Sequence, residues 1–386
     1  MLNVGRYLTS LPAETIPSIH CAAMAGNHPQ DWRASERHRS QRPVQSVPIL
    51  QSLRTACKTH PQYDKCMSEK ADGRSVLRGI RVLDGGMASE LEYQGADIDG
   101  PLWSAHVLED APEKVLAVHR AYIEAGAECI LTASYQVSRM GYAEFGLSPK
   151  RADAALLRSV ELARSAAAEF PERRVVVAAS LGPYGAALHN GAEYHGRYGC
   201  TFNDLVVFHR ERIGVLADAP DSQSPDLLAF ETLPSLEEAE AIGEALASWP
   251  ELRAWFSLTC KDGKHVAHGE LLSDCAVAVV GFPQTVAIGV NCTQPALMPS
   301  LIGELRGATD KPVVVYPNSG EGWDASTRRW TGSNDAARFG AMAEEWFAAG
   351  AQIAGGCCRT RPAHIRQVAQ AAARIRPSSL NPEPRF

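Results

Sequence analysis

From Arg81 onward, apolar residues fall into a regular alternation of two periods. Short apolar runs lie at Arg81–Gly85, Glu128–Ala133, Arg174–Ser180, Leu227–Glu231, Ala254–Thr259, Val286–Asn291, Pro312–Tyr316 and Ala351–Gly355, eight in all. They are rich in β-branched and aromatic residues and end in glycine or polar residues, as strands buried on both faces do. Between most of them the apolar spacing changes to that of a helix. Pro112–Gly126 carries Val115, Val118, His119, Tyr122 and Ile123 on one face. Ala152–Phe170 repeats Leu156, Leu157, Val160, Leu162 and Ala163. Ser235–Ser248 opens with the capping-box pattern Ser235-Leu236-Glu237-Glu238, and Ala336–Gly350 stops at a glycine. Eight strands alternating with helices over about 300 residues predict an α/β protein of the (β/α)8 TIM-barrel type. A doubly wound sheet is the alternative. It is disfavoured because no Gly-x-Gly-x-x-Gly links a strand to a helix.

The first 75 of the 386 residues do not share this pattern. They mix Pro, Ser, Gln and His with Arg33, Arg37, Arg39 and Arg42, and carry ten Lys/Arg against six Asp/Glu. The expected organisation is a disordered extension over 1–75, a barrel over 76–376 and a short tail over 377–386. A targeting peptide and a stretch lying before a true start at Met67 are the other readings of the extension. The net charge of −6 argues against nucleic acid or an anionic membrane as the main partner. No apolar run reaches ~18 residues, so a membrane-spanning helix is not expected. Ten cysteines without framework spacing point to a reduced, cytoplasmic compartment.

In a parallel barrel, the residues that end the strands share one rim. Reading off those ends gives Asp84, Thr132 and Ser134, Glu231, Asn291-Cys292, Asn318 and Cys357-Cys358. Three thiols on one rim form a soft ligand set, and thiolates select zinc over hard cations. Cys292 and the Cys357-Cys358 pair lie on the sixth and eighth predicted strands. Both members of the pair can reach one ion only if the strand end bends, and Gly355-Gly356 permits a bend. Three protein ligands leave one position of a tetrahedral ion open, which is the mark of a catalytic site. A closed structural site would need a fourth ligand, such as His189, His195 or Cys260. A metal-free redox pair at Cys357-Cys358 is a further alternative. Asp84 and Glu231 facing one pocket suit an ammonium group, and the N–H groups of Gly85-Gly86 suit a carboxylate. Together they specify an α-amino acid. The long segment Leu181–Tyr198 after the third predicted strand is expected to shape the site.

These motifs resemble the homocysteine S-methyltransferase family. The resemblance runs through Asp84-Gly85-Gly86-Met87-Ala88-Ser89-Glu90, Thr132-Ala133-Ser134-Tyr135-Gln136, Gly182-Pro183-Tyr184-Gly185-Ala186, Phe230-Glu231-Thr232-Leu233-Pro234, Val290-Asn291-Cys292-Thr293, Tyr316-Pro317-Asn318-Ser319-Gly320-Glu321 and Gly355-Gly356-Cys357-Cys358-Arg359-Thr360. It covers roughly residues 76–376 and implies a (β/α)8 barrel with Zn2+ on Cys292, Cys357 and Cys358. It further implies that Asp84 and Glu231 hold the homocysteine amino group and that Ser134 lies near its carboxylate. Gly85, Asn291 and Asn318 complete the expected substrate contacts. The Gly-Pro-Tyr-Gly-Ala and Tyr-Pro-Asn-Ser-Gly-Glu segments resemble the branch that uses S-methylmethionine or S-adenosylmethionine. The betaine branch has Tyr where this chain has Thr232. The implied partners are therefore two small molecules, homocysteine and a methyl-sulfonium donor, with a selenol acceptor as an alternative within the family. Tyr135, Tyr184, Tyr194 and Trp330 are the candidates for cation–π contact with the sulfonium.

Overall fold

The computed structural model describes residues 76–98, 104–324, 329–331 and 334–375. The expected extension over 1–75 and the tail from 377 lie outside them. The strands are β1 Cys129–Leu131, β2 Val176–Leu181, β3 Leu227–Leu233, β4 Ala254–Leu258, β5 Thr285–Asn291, β6 Val313–Tyr316, β7 Gly322–Asp324, β8 Arg329–Thr331 and β9 Ile353–Ala354. A parallel sheet runs in the order β1, β2, β3, β4, β5, β6, β9, while β7 and β8 form a separate antiparallel hairpin. That hairpin was not expected from the sequence.

The sheet closes through the first predicted strand, which is much shorter than its apolar run. Val82 bridges to Ala354 of β9, and Leu83 bridges to Cys129 of β1. Leu83 N donates to Ala354 O at 2.9 Å, and Asp84 N donates to Cys129 O at 3.1 Å. At the start Arg81 O accepts from Ala354 N and Val82 O from Cys129 N, while a side-chain oxygen, Glu128 Oε2, accepts from Arg81 N and Val82 N. At the other end Gly86 N turns away to the Thr360 hydroxyl. The eight-position ring is therefore present, with one position filled by two bridging residues.

Alternation along the strands sorts the core into two parts. Cys129, Val176, Ala178, Leu227, Ala229, Trp255, Ala287, Val314 and Tyr316 form the cluster inside the ring. Their neighbours Val177, Ala179, Leu228, Phe230, Phe256, Ile288, Val313 and Val315 pack outward against the helices. Leu77 and Ile80 join the inner cluster among residues that begin strands, so the chain entering the barrel plugs its N-terminal mouth. The same alternation carries Ser180, Glu231 and Asn291 inward at the opposite, C-terminal mouth.

The helices follow their predicted faces. Pro112–Glu124 buries Val115, Val118, His119, Tyr122 and Ile123. Pro149–Ala168 begins three residues before the predicted Ala152, because Pro149 suits the first turn and Ser148 precedes it extended. Ala336–Ala349 ends at Gly350, whose φ of 115° only glycine adopts without strain.

Ser235 caps the helix Leu236–Leu246 by accepting from Glu238 N, as expected. The reciprocal arm of the capping box is absent, because Glu238 points into the protein. Its carboxylate accepts from Tyr184 N at 2.5 Å, Tyr198 Oη at 2.6 Å and His209 Nε2 at 2.9 Å. His209 Nδ1 faces Arg212 Nη2 at 2.9 Å, and that same nitrogen donates to Gly182 O. Burial lowers His209 to about 4, so the ring is neutral at pH 7, with Nε2 donating and Nδ1 accepting. Glu238, His209 and Arg212 thus anchor both ends of the segment Leu181–Tyr198, at Gly182, Tyr184 and Tyr198.

Glu238→Ala would leave three donors, one fully buried and two partly buried, without their acceptor. Equilibrium denaturant unfolding is expected to show a loss of about 3 kcal/mol, and a loss under about 1 kcal/mol would mean the loop is anchored elsewhere.

Candidate metal centre and substrate pocket

Cys292 follows β5 directly, and Cys357-Cys358 follow β9, with β6 between the two strands. Their sulfurs converge. Cys292 Sγ lies 3.5 Å from Cys358 Sγ, Cys357 Sγ lies 3.9 Å from Cys358 Sγ, and all three fall within 4.8 Å of one another. Tetrahedral zinc with bonds of ~2.3 Å holds its thiolates ~3.8 Å apart, so the donor set fits that ion. Among the described residues no fourth His, Cys, Asp or Glu joins this group, so His189, His195 and Cys260 stand outside it. All seven described cysteines are free thiols.

The backbone that aims these sulfurs is tightly specified. Cys292 and Arg359 adopt left-handed φ values of 50° and 65°. Cys357 N donates to Pro317 O at 2.8 Å, Cys358 N to Asn318 Oδ1 at 3.2 Å, and Ser319 N to Cys358 O at 3.0 Å. The bend expected at Gly355-Gly356 is not made by left-handed glycines. A left-handed residue, Arg359, follows the cysteine pair, and Gly355 is required by close packing. A Cβ at Gly355 would come within 2.7 Å of Asp84 O and Leu83 Cβ, so its absence lets the closing segment approach. Without a cation the three thiols oppose one another. The Cys357 thiol is held well above its usual range, chiefly by its hydrogen bond with Cys292 and further by burial. Tyr194 Oη lies 3.2 Å from Cys292 Sγ, bringing the long loop into direct contact with the cluster.

The sulfurs open onto a cavity of about 240 Å³. Gly85, Glu231, Asn291 and all three cysteines line it. Asp84 is buried beside it. Its Oδ2 accepts from Leu131 N at 2.8 Å, while its Oδ1 has no partner among the described residues. Burial, the largest cause, and the charge of Glu231 raise Asp84 well above the usual carboxylate range. Glu231 is pushed up to about 7 by burial, against hydrogen bonds from Ser180 and Tyr316. Two neighbouring buried carboxyls, both raised chiefly by burial, are short of positive charge, which a cation such as an ammonium group would supply.

Asn291 acts on both sides of a neighbouring turn. Its Oδ1 accepts from Thr232 N at 2.7 Å and its Nδ2 donates to Thr232 Oγ1 at 2.8 Å, holding Thr232 at a φ of 57°. That clamp fixes the strand end that presents Glu231. Gly85 is required by close approach, since a Cβ there would lie 2.8 Å from the Tyr122 ring. The Tyr122 hydroxyl reaches Gly86 O at 3.0 Å and Thr360 O at 3.2 Å, tying the glycine pair to the turn that carries the cysteines.

Two expected contacts lie behind the cavity wall. Ser134 is fully buried, donates to Ser180 O at 2.8 Å and is not a lining residue. Asn318 supports Cys358 N instead of facing the cavity. Of the aromatic candidates, Tyr135 and Tyr194 line the cavity, whereas Tyr184 packs on Tyr198 and Phe208. The side chain of Trp330 lies outside the described residues. Sequence reasoning missed Ser180, Tyr316, Gln136 and Glu193. The first two were accessible from strand alternation, because Ala178 and Val314 already point inward. Gln136 and Glu193 sit in loops and gave no periodic signal.

A profile of the family described as homocysteine S-methyltransferase matches residues 81–372. The chain is 44% identical over 296 residues to homocysteine S-methyltransferase YbgG of Bacillus subtilis, spanning 75% of this chain and 93% of that one. It is 44% identical over 307 residues to homocysteine S-methyltransferase of Escherichia coli, spanning 78% of this chain and 98% of that one. The crystal structure of the metallated form of the E. coli homocysteine methyltransferase MmuM superposes with a TM-score of 0.69 at 41% identity. That match covers 78% of this chain and 99% of the other. An oxidised form of the same enzyme also superposes with a TM-score of 0.69. With the sulfur cluster, the paired carboxyls and the barrel in agreement, the chain belongs to the homocysteine S-methyltransferase family.

Proposed function

We propose that this protein transfers a methyl group from a sulfonium donor, S-methylmethionine or S-adenosylmethionine, to the thiol of homocysteine, giving methionine. Zn2+ is the proposed metal, held by Cys292, Cys357 and Cys358. The observation that carries the reading is the set of three sulfurs, spaced for one tetrahedral thiophilic ion, opening onto a cavity lined by the raised carboxyl Glu231 with Asp84 buried beside it. Bound zinc supplies a soft Lewis acid beside which a thiol loses its proton near neutral pH.

The chain's own residues do the rest. Asp84 and Glu231 bind the substrate ammonium and so fix one end of a short amino acid. Asp84 Oδ1, a buried oxygen without a partner among the described residues, is the acceptor for it. Ser180 and Tyr316 keep Glu231 oriented through its carboxylate. Asn291 holds Thr232 and thereby the strand end. Fixing the amino group and the thiol at separate points leaves the substrate sulfur little freedom, which is the orientational gain a displacement reaction needs. The leaving group is a neutral thioether, so no general acid is required, and the site has no need to protonate it.

Cys292→Ser is expected to lower zinc content to below about 0.1 per chain and to abolish turnover, measured by elemental analysis and a methionine-formation assay. Full turnover in that variant would contradict the assignment. Glu231→Ala should raise the KM for homocysteine by roughly 10–100-fold while the donor KM stays close to wild type. An unchanged homocysteine KM would put the amino group elsewhere.

A further inference from the structure

Glu231, with Asp84 buried behind it, accounts for one cation in the cavity, yet the cavity is lined by a second carboxyl. Glu193 lies on the loop Leu181–Tyr198, in the 3-10 turn Ala192–Tyr194, and lines the same space. Its Oε2 is enclosed and has no hydrogen-bond partner among the described residues. Burial pushes the group up to about 7. His189 on the same loop also lines the cavity, and neither of its ring nitrogens has a partner among the described residues. Around Glu193 the wall is aromatic. Tyr135 feels both Glu193 and Cys292, which, after burial, are the largest of the causes that raise its phenol. Tyr194, next in sequence, touches Cys292 Sγ. A half-buried carboxyl whose enclosed oxygen has no partner among the described residues, sharing a cavity with two phenol rings and within one residue of contact with the sulfur cluster, suits a bound cation.

We propose that Glu193 is the counter-ion of the methyl donor, and that the loop Leu181–Tyr198 forms the donor half of the cavity. This assignment rests on the methyltransferase reading above. The charge balance of the reaction fits it. The acceptor thiolate uses a lone pair to form the new S–CH3 bond. The bond from that methyl carbon to the donor sulfur breaks, and its electron pair stays on the donor sulfur. The donor sulfur thus goes from a sulfonium cation to a neutral thioether, and no proton moves there. A carboxylate at this position binds the charged donor more strongly than the neutral thioether left behind, which favours loading before transfer and release after it. The loop anchor at Glu238, His209 and Arg212 supplies the rigidity such a contact needs.

The test uses the zinc-loaded full chain, wild type and Glu193→Gln, with Glu193→Asp as the charge-keeping control. Zinc content and thermal midpoint establish that the variants are folded. Steady-state kinetics vary S-methylmethionine at saturating homocysteine and then the reverse, and calorimetric titration measures S-methylmethionine binding directly. The expected result for Glu193→Gln is a donor KM and dissociation constant raised at least about tenfold, with homocysteine KM within about twofold of wild type, and partial recovery in Glu193→Asp. Donor affinity within about twofold of wild type in Glu193→Gln, or a loss that falls on homocysteine instead, would overturn the assignment while leaving the methyltransferase reading intact. Binding of S-methylmethionine that depends on Glu193 without any methyl transfer would overturn the methyltransferase reading and keep Glu193 as a cation site.

Discussion

Three thiols held within 4.8 Å of one another need a cation if they are to ionise together. Much of the geometry at the C-terminal mouth of the barrel serves to keep them that close. Two strand ends separated by β6 must turn toward each other, and the chain accepts left-handed backbone at Cys292 and Arg359 to do so. Such conformations cost of order 1 kcal/mol or more at residues with a side chain, and they persist because neighbours over-determine them. Here the neighbours are Pro317 O, Asn318 Oδ1, Thr360 and the glycine pair that lets the closing segment pack against the turn.

The same constraint explains the shortness of the first strand. A regular strand through Arg81–Gly85 would keep Gly85 and Gly86 in the ladder. Instead the ladder stops after the two bridges, Gly86 N pairs with Thr360, and the Tyr122 hydroxyl reaches the carbonyls of Gly86 and Thr360. Closing the barrel and building the site are therefore one structural event. Asp84 sits at the junction, with one oxygen held by Leu131 N and the other without a partner among the described residues.

Periodicity in the sequence located the barrel, because strands buried on both faces and helices buried on one face leave distinct marks. It placed the buried face of Pro112–Glu124 residue by residue. It also placed the cysteines on one rim, since a strand end is where an apolar run stops. What it did not give was the direction of side chains in irregular segments. Ser134 ends its run but turns to Ser180 O, and Asn318 turns to Cys358 N. Glu238 looked like half of a capping box, because helix-start patterns encode local contacts only; the long-range acceptor role that turned it inward, toward His209 and Tyr198, leaves no local trace. Glu193 was invisible for the same reason, being one acidic residue in a loop whose path is set by that distant anchor.

Zinc K-edge absorption on the zinc-loaded protein, before and after homocysteine is added, tests the central claim most directly. Three sulfur neighbours at ~2.3 Å and one light atom, converting to four sulfurs when homocysteine is present, is the predicted result. Four protein-derived ligands in the substrate-free protein, or a spectrum that homocysteine leaves unchanged, would contradict a thiol-binding metal centre built from Cys292, Cys357 and Cys358.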